Sequence, residues 1–386
     1  MKLILRLLIG IAVGIIIGLV ANEWTARLMV TISDIIGSFI FFMVPLIIIF
    51  FIAAGIANLG KGGGKLLGST IGIAYLSTVL AGTFAVSVAM FVFPLIGLSG
   101  SEAVAPEGLS GFIEFEIEPI AGVLTALVLA FVFGVGIAAT EATSFKRVID
   151  EGQSMIEMII RKAIIPLLPF YIAGVLAEMA YEGAVFETLG VFGVVLALAV
   201  SMHLIWLIIQ YTVAGIVNKE NPFRLMKNMV PAYVTALGTM SSAATIPVTV
   251  NAVKKNRIKD SIADFVVPLC ANIHLSGSTI TILTAATAVM YMMPGLEFPG
   301  FVGMIPVILM LGIIMIAAPG VPGGAVMAAV GILSSMLGFN EAAIALMIAL
   351  YLAQDSFGTA TNVTGDGAIA LIMNGKEQGN SARDAA

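Results

Sequence analysis

The sequence predicts an all-α, polytopic membrane protein with eight transmembrane helices and two opposed re-entrant helical hairpins. The first sign is composition, because 60% of the 386 residues are hydrophobic and 11% are charged, with a mean hydropathy of +1.09. A typical soluble domain is about 45–50% apolar and about 25% charged. The second sign is a series of apolar runs long enough to cross a bilayer. The third is that two later apolar runs are interrupted in the middle, around 240–247 and at 318–324.

Six apolar runs before residue 220 are predicted to cross the membrane once each. They lie at 3–21, 29–57, 67–98, 119–140, 153–180 and 188–217. Basic residues occur at alternate breaks between the runs, as at Lys61, Lys146 and Lys219. Because cytoplasmic loops are enriched in Lys and Arg, this alternation predicts a cytoplasmic N-terminus, and eight crossings return the C-terminus to the same side. We interpret 3–21 as a spanning helix rather than a signal peptide because no small-residue cleavage motif follows it.

After residue 220, two interrupted stretches are predicted to be re-entrant hairpins. In the first, at 231–257, Ser, Ala, Thr and Pro separate two apolar arms of about 12 residues, each too short to span. Its basic flanks place its entry on the cytoplasmic side. The acidic flanks of the second, Glu297 and Glu341, place its entry on the opposite side. One span at 262–293, broken at NIHLSGS, lies between the hairpins, and the last span lies at 342–374.

A stripe of polar residues lies in the last apolar run. Asp355, Thr359, Asn362 and Asp366 follow one another at intervals that place all four on one face of a helix. The two carboxylates are then separated by about 16 Å along the helix. Carboxylates at membrane depth are costly unless they are compensated, and no Lys or Arg occurs between residues 260 and 375. The compensating charge must therefore be imported, as metal cations or as a substrate ammonium group.

Other functions explain this stripe less well. Hydrogen bonding between helices accounts for Thr359 but not for two uncompensated carboxylates. An intramembrane aspartyl protease needs two carboxylates about 3 Å apart that share a proton, and positions three turns apart on one helix do not give that distance. A channel would need repeated elements or charged rings. The net charge of −5 does not favour nucleic-acid binding. We therefore expect a carrier and not an enzyme.

Four motifs, in this order, resemble the dicarboxylate/amino acid:cation symporters. They are MSSAATIPVT (240–249), ANIHLSGST (271–279), PGVPGG (319–324) and DSFGTATNVTGDG (355–367). The resemblance implies an elevator-type fold in which each protomer of a homotrimer moves a transport domain past a scaffold. It also implies sodium-coupled symport of an amino acid in a prokaryotic plasma membrane, with the lipid bilayer and the amino acid as the other partners and no nucleic acid.

The resemblance also implies a division of the chain into eight segments. These are the first scaffold helices at 1–66, the third and fourth spans at 67–140 (the third mainly transport domain, the fourth mainly scaffold), the fifth, scaffold span at 141–187, the sixth, transport-domain span at 188–220, the first hairpin at 221–259, the broken seventh span at 260–295, the second hairpin at 296–340, and the eighth span with a cytoplasmic tail at 341–386.

Carried over by position, the family's substrate-binding residues are Ser241, Ser242, Ser278, Val321, Asp355, Gly358, Thr359 and Asn362. Among them Asp355 would hold the substrate ammonium. Asn362 and the tip of the first hairpin would hold the α-carboxylate, and Thr359 with Ser278 would line the side-chain pocket.

The resemblance further implies two sodium sites. The first would combine the Asp366 carboxylate with main-chain oxygens near Cys270, His274 and Asn362. The second would be built from main-chain carbonyls around Asn272, Leu275, Met315, Ile316 and Ala318. A third family site is expected to be lost, because its positions carry His274, Ser276, Thr78, Ala81 and Gly82, without the family's Asn and Asp.

Two departures from the family pattern bear on function. Acidic-substrate members carry an Arg at the position of Gly358, so we expect a small neutral substrate, namely serine, threonine or alanine. His274 is either a neutral core histidine or an imidazolium in the place of the missing sodium. Three alternatives stay open: a proton-coupled carrier, a carrier of acidic amino acids or dicarboxylates, and an obligate exchanger.

Overall fold

A computed structural model describes residues 2–59, 64–97, 109–113, 115–183, 185–293, 295–320 and 322–384. Val321, one of the predicted substrate residues, lies outside these ranges. Within them the regular structure is entirely helical, which confirms the predicted all-α class. Eight of the described helices are long and apolar enough to cross a membrane. The set of spanning helices differs from the predicted one. Leu5–Val20 is too short to count as a span, whereas Gly300–Ala317, expected as a hairpin arm, is long enough.

The helices in chain order are α1 (Lys2–Val20), α2 (Glu23–Leu59), α3 (Gly64–Leu95), α4 (Val123–Thr140), α5 (Thr143–Ile159), α6 (Ile165–Tyr181), α7 (Val185–Asn218), α8 (Pro222–Asn228), α9 (Val230–Thr239), α10 (Ser242–Lys254), α11 (Asp260–Ile273), α12 (Ser276–Met292), α13 (Gly300–Ala317), α14 (Gly324–Leu337) and α15 (Glu341–Asp384). A π-helical turn at Ile160–Ile164 joins α5 to α6.

Helix α1 packs closely on α6 through a row of glycines. A Cβ atom at Gly14 would overlap the main-chain carbonyl of Ala173, and one at Gly18 would overlap that of Ala177. Gly10 approaches α6 in the same way one turn earlier. This G-x-x-x-G-x-x-x-G spacing is typical of helices whose backbones meet inside a membrane.

The segment before α4 is extended and lies against α2. The Phe112 N–H donates to the Thr31 hydroxyl at 2.8 Å, and the Ile117 N–H donates to the Ser38 hydroxyl at 2.6 Å. These bonds hold the segment outside a helix, so α4 begins at Val123 rather than at the predicted residue 119.

Both interrupted stretches are broken by a turn between two helices. In the first, Met240 adopts a left-handed conformation (φ 51°) and the Ser241 hydroxyl accepts the Ala244 N–H at the start of α10. In the second, the turn between α13 and α14 ends at Gly323, whose φ of 75° suits glycine. The Ser241 hydroxyl donates to the Gly320 carbonyl at 3.1 Å, so the two hairpin tips are in contact.

The two most buried helices meet at the centre of the molecule. Helix α12 is buried from Ser276 to Met290 and begins after the short break that separates it from α11. Helix α15 is continuous and packs on α7, α9, α11 and α12. The polar stripe therefore lies on an unbroken helix, beside the break in the seventh span.

Candidate functional site

Asp355 is a buried carboxylate that receives hydrogen bonds only from neutral donors among the described residues. Its Oδ2 accepts the N–H of Gly323, at the tip of the second hairpin, at 2.7 Å. Its Oδ1 accepts the Tyr351 hydroxyl at 3.0 Å and the Thr359 hydroxyl at 3.4 Å. The side chain is 3% exposed. These donors stabilise a carboxylate but do not neutralise it, so the site stays short of one positive charge.

Tyr351 belongs to this group of residues although the sequence analysis did not select it. Its hydroxyl lies 3.1 Å from the Ser278 Oγ as well as 3.0 Å from Asp355, and the side chain is 1% exposed. The available signal was its position one turn before Asp355 on the same helix face. In an apolar run a tyrosine resembles packing, so that signal was weak.

Asn362 ties the stripe to the start of α12. Its Oδ1 accepts the Gly277 N–H at 2.7 Å and the Ser278 N–H at 3.2 Å, and its Nδ2 donates to the Ser278 Oγ at 3.0 Å. The first N–H groups of a helix lack partners within the helix, and Asn362 satisfies two of them. Ser278 and Asn362, both predicted substrate residues, are thus brought together.

Gly358 lies at a close crossing of α12 and α15. The Gly358 carbonyl occupies the space that a Cβ on Gly277 would need. A Cβ on Gly358 would lie 3.4 Å from the Thr281 Oγ1 and 3.5 Å from the Ser278 nitrogen. These are ordinary van der Waals contacts, so packing tolerates a methyl group at this position.

The tip of the second hairpin contacts Asp355, the predicted ammonium residue, and Ser241, one of the predicted carboxylate residues. Ser241 contacts this tip at Gly320, and Asp355 contacts it at Gly323. Ser242 is buried and begins α10. The second hairpin thus contacts both Ser241 and Asp355, at residues three apart.

Asp366 is paired with the side chain of His274, both fully or almost fully buried. The His274 Nδ1 lies 2.9 Å from the Asp366 Oδ1, and its Nε2 lies 3.0 Å from the Ser77 Oγ. The Gln210 Nε2 donates to the same Ser77 oxygen at 3.0 Å. Two buried oxygens beside the ring, the Asp366 Oδ2 and the Gln210 Oε1, have no hydrogen-bond partner in the described structure.

The His274 ring contacts Asp366 directly, whereas the expected first sodium site used only the main-chain oxygen near His274. Ser77 and Gln210 were not predicted, because they come from α3 and α7 and no spacing along the sequence links them to α15. The unpartnered Asp366 Oδ2 leaves an acceptor that a cation can use.

The residues expected around the second sodium site line one cavity in part. Asn272, Ile316 and Ala318 border a cavity of about 470 Å³ that also reaches Phe51 on α2 and Arg161 in the π-helical turn. Helices α11 and α13 end at this cavity, at Ile273 and Ala317. The last carbonyls of a helix lack intrahelical partners and carry partial negative charge. Two helix C-termini thus present carbonyl oxygens to a common space.

Three other members of the expected sodium sets lie deeper. The Cys270 carbonyl accepts the His274 N–H at 2.8 Å, and the Leu275 carbonyl accepts the Thr279 N–H at 2.9 Å. Met315 is fully buried in the last turn of α13. The Cys270 carbonyl therefore keeps one lone pair for a further ligand, whereas the Leu275 carbonyl also accepts the Thr279 hydroxyl at 2.9 Å and has both lone pairs in use.

Comparison with known proteins agrees with this architecture. The model of the sodium:dicarboxylate symporter family matches residues 3–376. Excitatory amino acid transporter 3 of Oryctolagus cuniculus is 34% identical over 199 residues, which cover 51% of this chain and 37% of that transporter. The similarity to this curated relative thus spans little more than a third of its length. The family consists of membrane transporters rather than enzymes. Because the family model covers nearly the whole of a multi-pass helical chain, the protein belongs to the sodium:dicarboxylate symporter family.

Proposed function

We propose that the protein is a sodium-coupled symporter of a small neutral amino acid, namely serine, threonine or alanine. The observation that carries this proposal is the state of Asp355, a buried carboxylate that meets only neutral donors. No Lys or Arg occurs between residues 260 and 375 to neutralise it. A substrate ammonium supplies the missing charge, and a charge-assisted hydrogen bond to a carboxylate is stronger than a neutral one.

The same charge balance disfavours an acidic substrate. A second carboxylate on the substrate would be buried near Asp355 without a basic partner, and an unpaired buried charge costs several kcal/mol. Gly358 offers no such partner. A zwitterion with a small side chain supplies the ammonium group that Asp355 lacks, brings no second carboxylate in its side chain and needs little space.

The coupling cations are proposed to occupy two oxygen-lined positions. One lies at the unpartnered Asp366 Oδ2, and the other at the carbonyl ends of α11 and α13. Broken helices in transporters supply bare carbonyls to cations in this way. Two sodium ions with a zwitterion carry net charge, and each charge that crosses with the membrane potential gains about 2.3 kcal/mol per 100 mV.

Alternating access is proposed to follow an elevator mechanism in a homotrimer in the plasma membrane, with both termini cytoplasmic. The scaffold would comprise the helices before α7 apart from α3, and the transport domain would comprise α3 and the helices from α7 onward. Close packing of α1 on α6 supports a rigid scaffold. The contacts at Gly320 and Gly323 support the second hairpin as the gate.

The test is uptake of radiolabelled serine into liposomes that contain the purified protein, under an inward sodium gradient. Excess unlabelled threonine, alanine, aspartate or glutamate is added in separate reactions. Threonine and alanine should compete, and aspartate and glutamate should not. Competition by aspartate alone would contradict the assignment of a neutral substrate.

A second candidate, proton coupling, is favoured by the contact between His274 and Asp366. Around Nε2 the Ser77 hydroxyl can act in either direction. If it donates to Nε2, the imidazole is neutral. If its oxygen instead accepts from Nε2–H, with the Gln210 amide as drawn or turned over, the imidazole carries a hydrogen on both nitrogens. The two states differ by one proton.

Uptake measured between about pH 5.5 and 8.5, the range in which histidine titrates, separates the candidates. Proton coupling predicts a pH-dependent rate that His274→Gln makes independent of pH. A flat pH profile for the wild type, with an unchanged rate in His274→Gln, would exclude a proton at this site.

A further inference from the structure

Two charged side chains border the cavity that contains the second proposed sodium position, the one at the carbonyl ends of α11 and α13. They are Glu157, near the end of α5, and Arg161, in the π-helical turn that follows. The two form an ion pair with i, i+4 spacing. Among the described residues that border this cavity, no others carry a charge. An ion that enters or leaves through the cavity therefore meets this pair.

The end of α13 also packs directly against α2. A Cβ atom at Gly55 would lie 2.9 Å from the Ala317 Cβ and 3.9 Å from the carbonyl oxygen of Ile316, a residue expected around the second sodium ion. Helices α2 and α5 belong to the proposed scaffold, whereas α11 and α13 belong to the proposed transport domain. The second sodium position thus lies at the boundary between the two proposed domains.

A fixed charge beside a cation site changes the affinity of that site according to its sign. In this cavity the Glu157 carboxylate attracts sodium and the Arg161 guanidinium repels it. The Arg161 side chain is 57% exposed and that of Glu157 is 36% exposed, so solvent screens the guanidinium more strongly than the carboxylate. Attraction by the carboxylate therefore prevails while both side chains are present.

We infer that the Glu157–Arg161 pair sets the affinity of the second sodium position from the scaffold side, with Glu157 strengthening and Arg161 weakening sodium binding. The inference rests on the proposed function and deepens it, because it makes sodium affinity depend on where the transport domain stands. Movement of the transport domain would carry the carbonyl ends of α11 and α13 away from both charges. An ion that binds more tightly in one position shifts the population towards that position.

Sodium affinity of single variants tests this without a transport assay. It is read from the rise in melting temperature of purified protein as sodium replaces choline at constant total salt. Arg161→Gln should lower the sodium concentration for the half-maximal rise by about two- to threefold, and Glu157→Gln should raise it by about the same factor, as for one unit charge acting across a hydrated cavity of this size. The measurement is repeated with Asp366→Asn, which removes the carboxylate of the first sodium position.

Ionic strength gives a second readout that a merely structural role would not move. The Debye length falls from about 10 Å at 0.1 M salt to about 3 Å at 1 M. Both changes should therefore shrink as choline chloride is added. If one of the two variants does not fold, the sign of the change in the other still decides.

Matched controls come from a second ion pair on α5. Arg147 and Glu151 have the same i, i+4 spacing, and they border a separate cavity of about 300 Å³. Arg147→Gln and Glu151→Gln should leave the half-maximal sodium concentration unchanged. This separates an effect at the sodium position from a general effect of charge on the protein.

Three results would count against the inference. Changes in the same direction in Arg161→Gln and Glu157→Gln overturn it, because the pair would then only hold α5 and the π-helical turn in place. Wild-type sodium affinity in both variants also overturns it, while leaving the proposed sodium-coupled symport intact. Absence of any sodium-induced rise in the wild-type melting temperature overturns the inference together with the proposed function.

Discussion

Asp355 and Asp366 lie on one face of the same buried helix, yet their surroundings differ in the source of their partners. Asp355 meets main-chain and hydroxyl donors, one of them from the tip of the second hairpin. Asp366 contacts the imidazole of His274, in the break between α11 and α12. Hydrogen-bonding side chains from α3 and α7 lie on the other side of that ring. The first carboxylate has neutral partners and is short of a charge. The second has a potentially cationic partner within the protein.

This difference suits the two carboxylates to different tasks, one in ligand binding and one in ion coupling. A partner that belongs to a hairpin tip changes when that hairpin opens, so Asp355 is suited to a ligand that enters and leaves. Partners in the packed core stay in place, so Asp366 is suited to setting the charge balance of the coupling ions. The predictions below test the separation, from the largest expected effect to the smallest.

Asp355→Asn should remove serine uptake almost completely. Loss of one partner of a buried charge pair costs about 3–5 kcal/mol, which corresponds to more than a hundredfold loss of affinity. Serine affinity is measured by calorimetry on purified protein, and sodium binding is followed in parallel by the shift in melting temperature. The sodium-induced shift should persist. Wild-type serine affinity in this variant would contradict the role of Asp355.

Gly277→Ala should impair transport strongly, because α12 and α15 cross between the two carboxylates at this glycine. The added Cβ overlaps the Gly358 carbonyl, and overpacking of this kind typically costs about 1–3 kcal/mol. Gly358→Ala is the matched control, since its Cβ would make ordinary contacts at 3.4 Å and 3.5 Å. Melting temperature and uptake are measured for both variants. Equal tolerance of the two would show that the helices separate at this crossing.

His274→Gln should change the ion dependence of transport more than the affinity for serine at saturating sodium. A glutamine can still donate a hydrogen bond towards Asp366, but it cannot take up a proton. We expect a few-fold change in the sodium concentration for half-maximal uptake, as for loss of about 1 kcal/mol. An equal change in serine affinity at saturating sodium would mean that the two carboxylate regions are not separate.

Thr359→Ala should have the smallest effect, about twofold on serine affinity, because its bond to Asp355 is long at 3.4 Å. Thr287→Ala is a matched control, since that buried hydroxyl donates only to the Leu283 carbonyl of its own helix. Serine affinity is compared between the two variants. A tenfold loss in Thr359→Ala would show that the Thr359 hydroxyl contacts the substrate as well as Asp355.

The sequence predicts best what lies within one helix. Asp355, Thr359, Asn362 and Asp366 share a face because helical spacing alone decides it, and α15 is continuous through all four. The breaks in the two interrupted stretches also follow from local signals, namely the Ser, Thr, Gly and Pro residues at 240–247 and 318–324. Arm length is a weaker signal, because α13 is long enough to span.

Contacts between helices far apart in sequence escape such analysis. The pairing of the His274 ring with Asp366 depends on how α11 and α15 pack, and Ser77 and Gln210 come from two further helices. The start of α4 depends on hydrogen bonds from an extended segment to α2. In each case the deciding partner is distant in sequence and leaves no local pattern.

The most direct test of the central claim is serine uptake by purified protein in liposomes under three conditions: an inward sodium gradient, no gradient, and an inward proton gradient without sodium. The account predicts accumulation only with the sodium gradient, because imported sodium and the substrate ammonium together supply the charge that the buried carboxylates lack. Accumulation that is indifferent to sodium and driven by the proton gradient would contradict it. That result would assign ion coupling to His274 and Asp366.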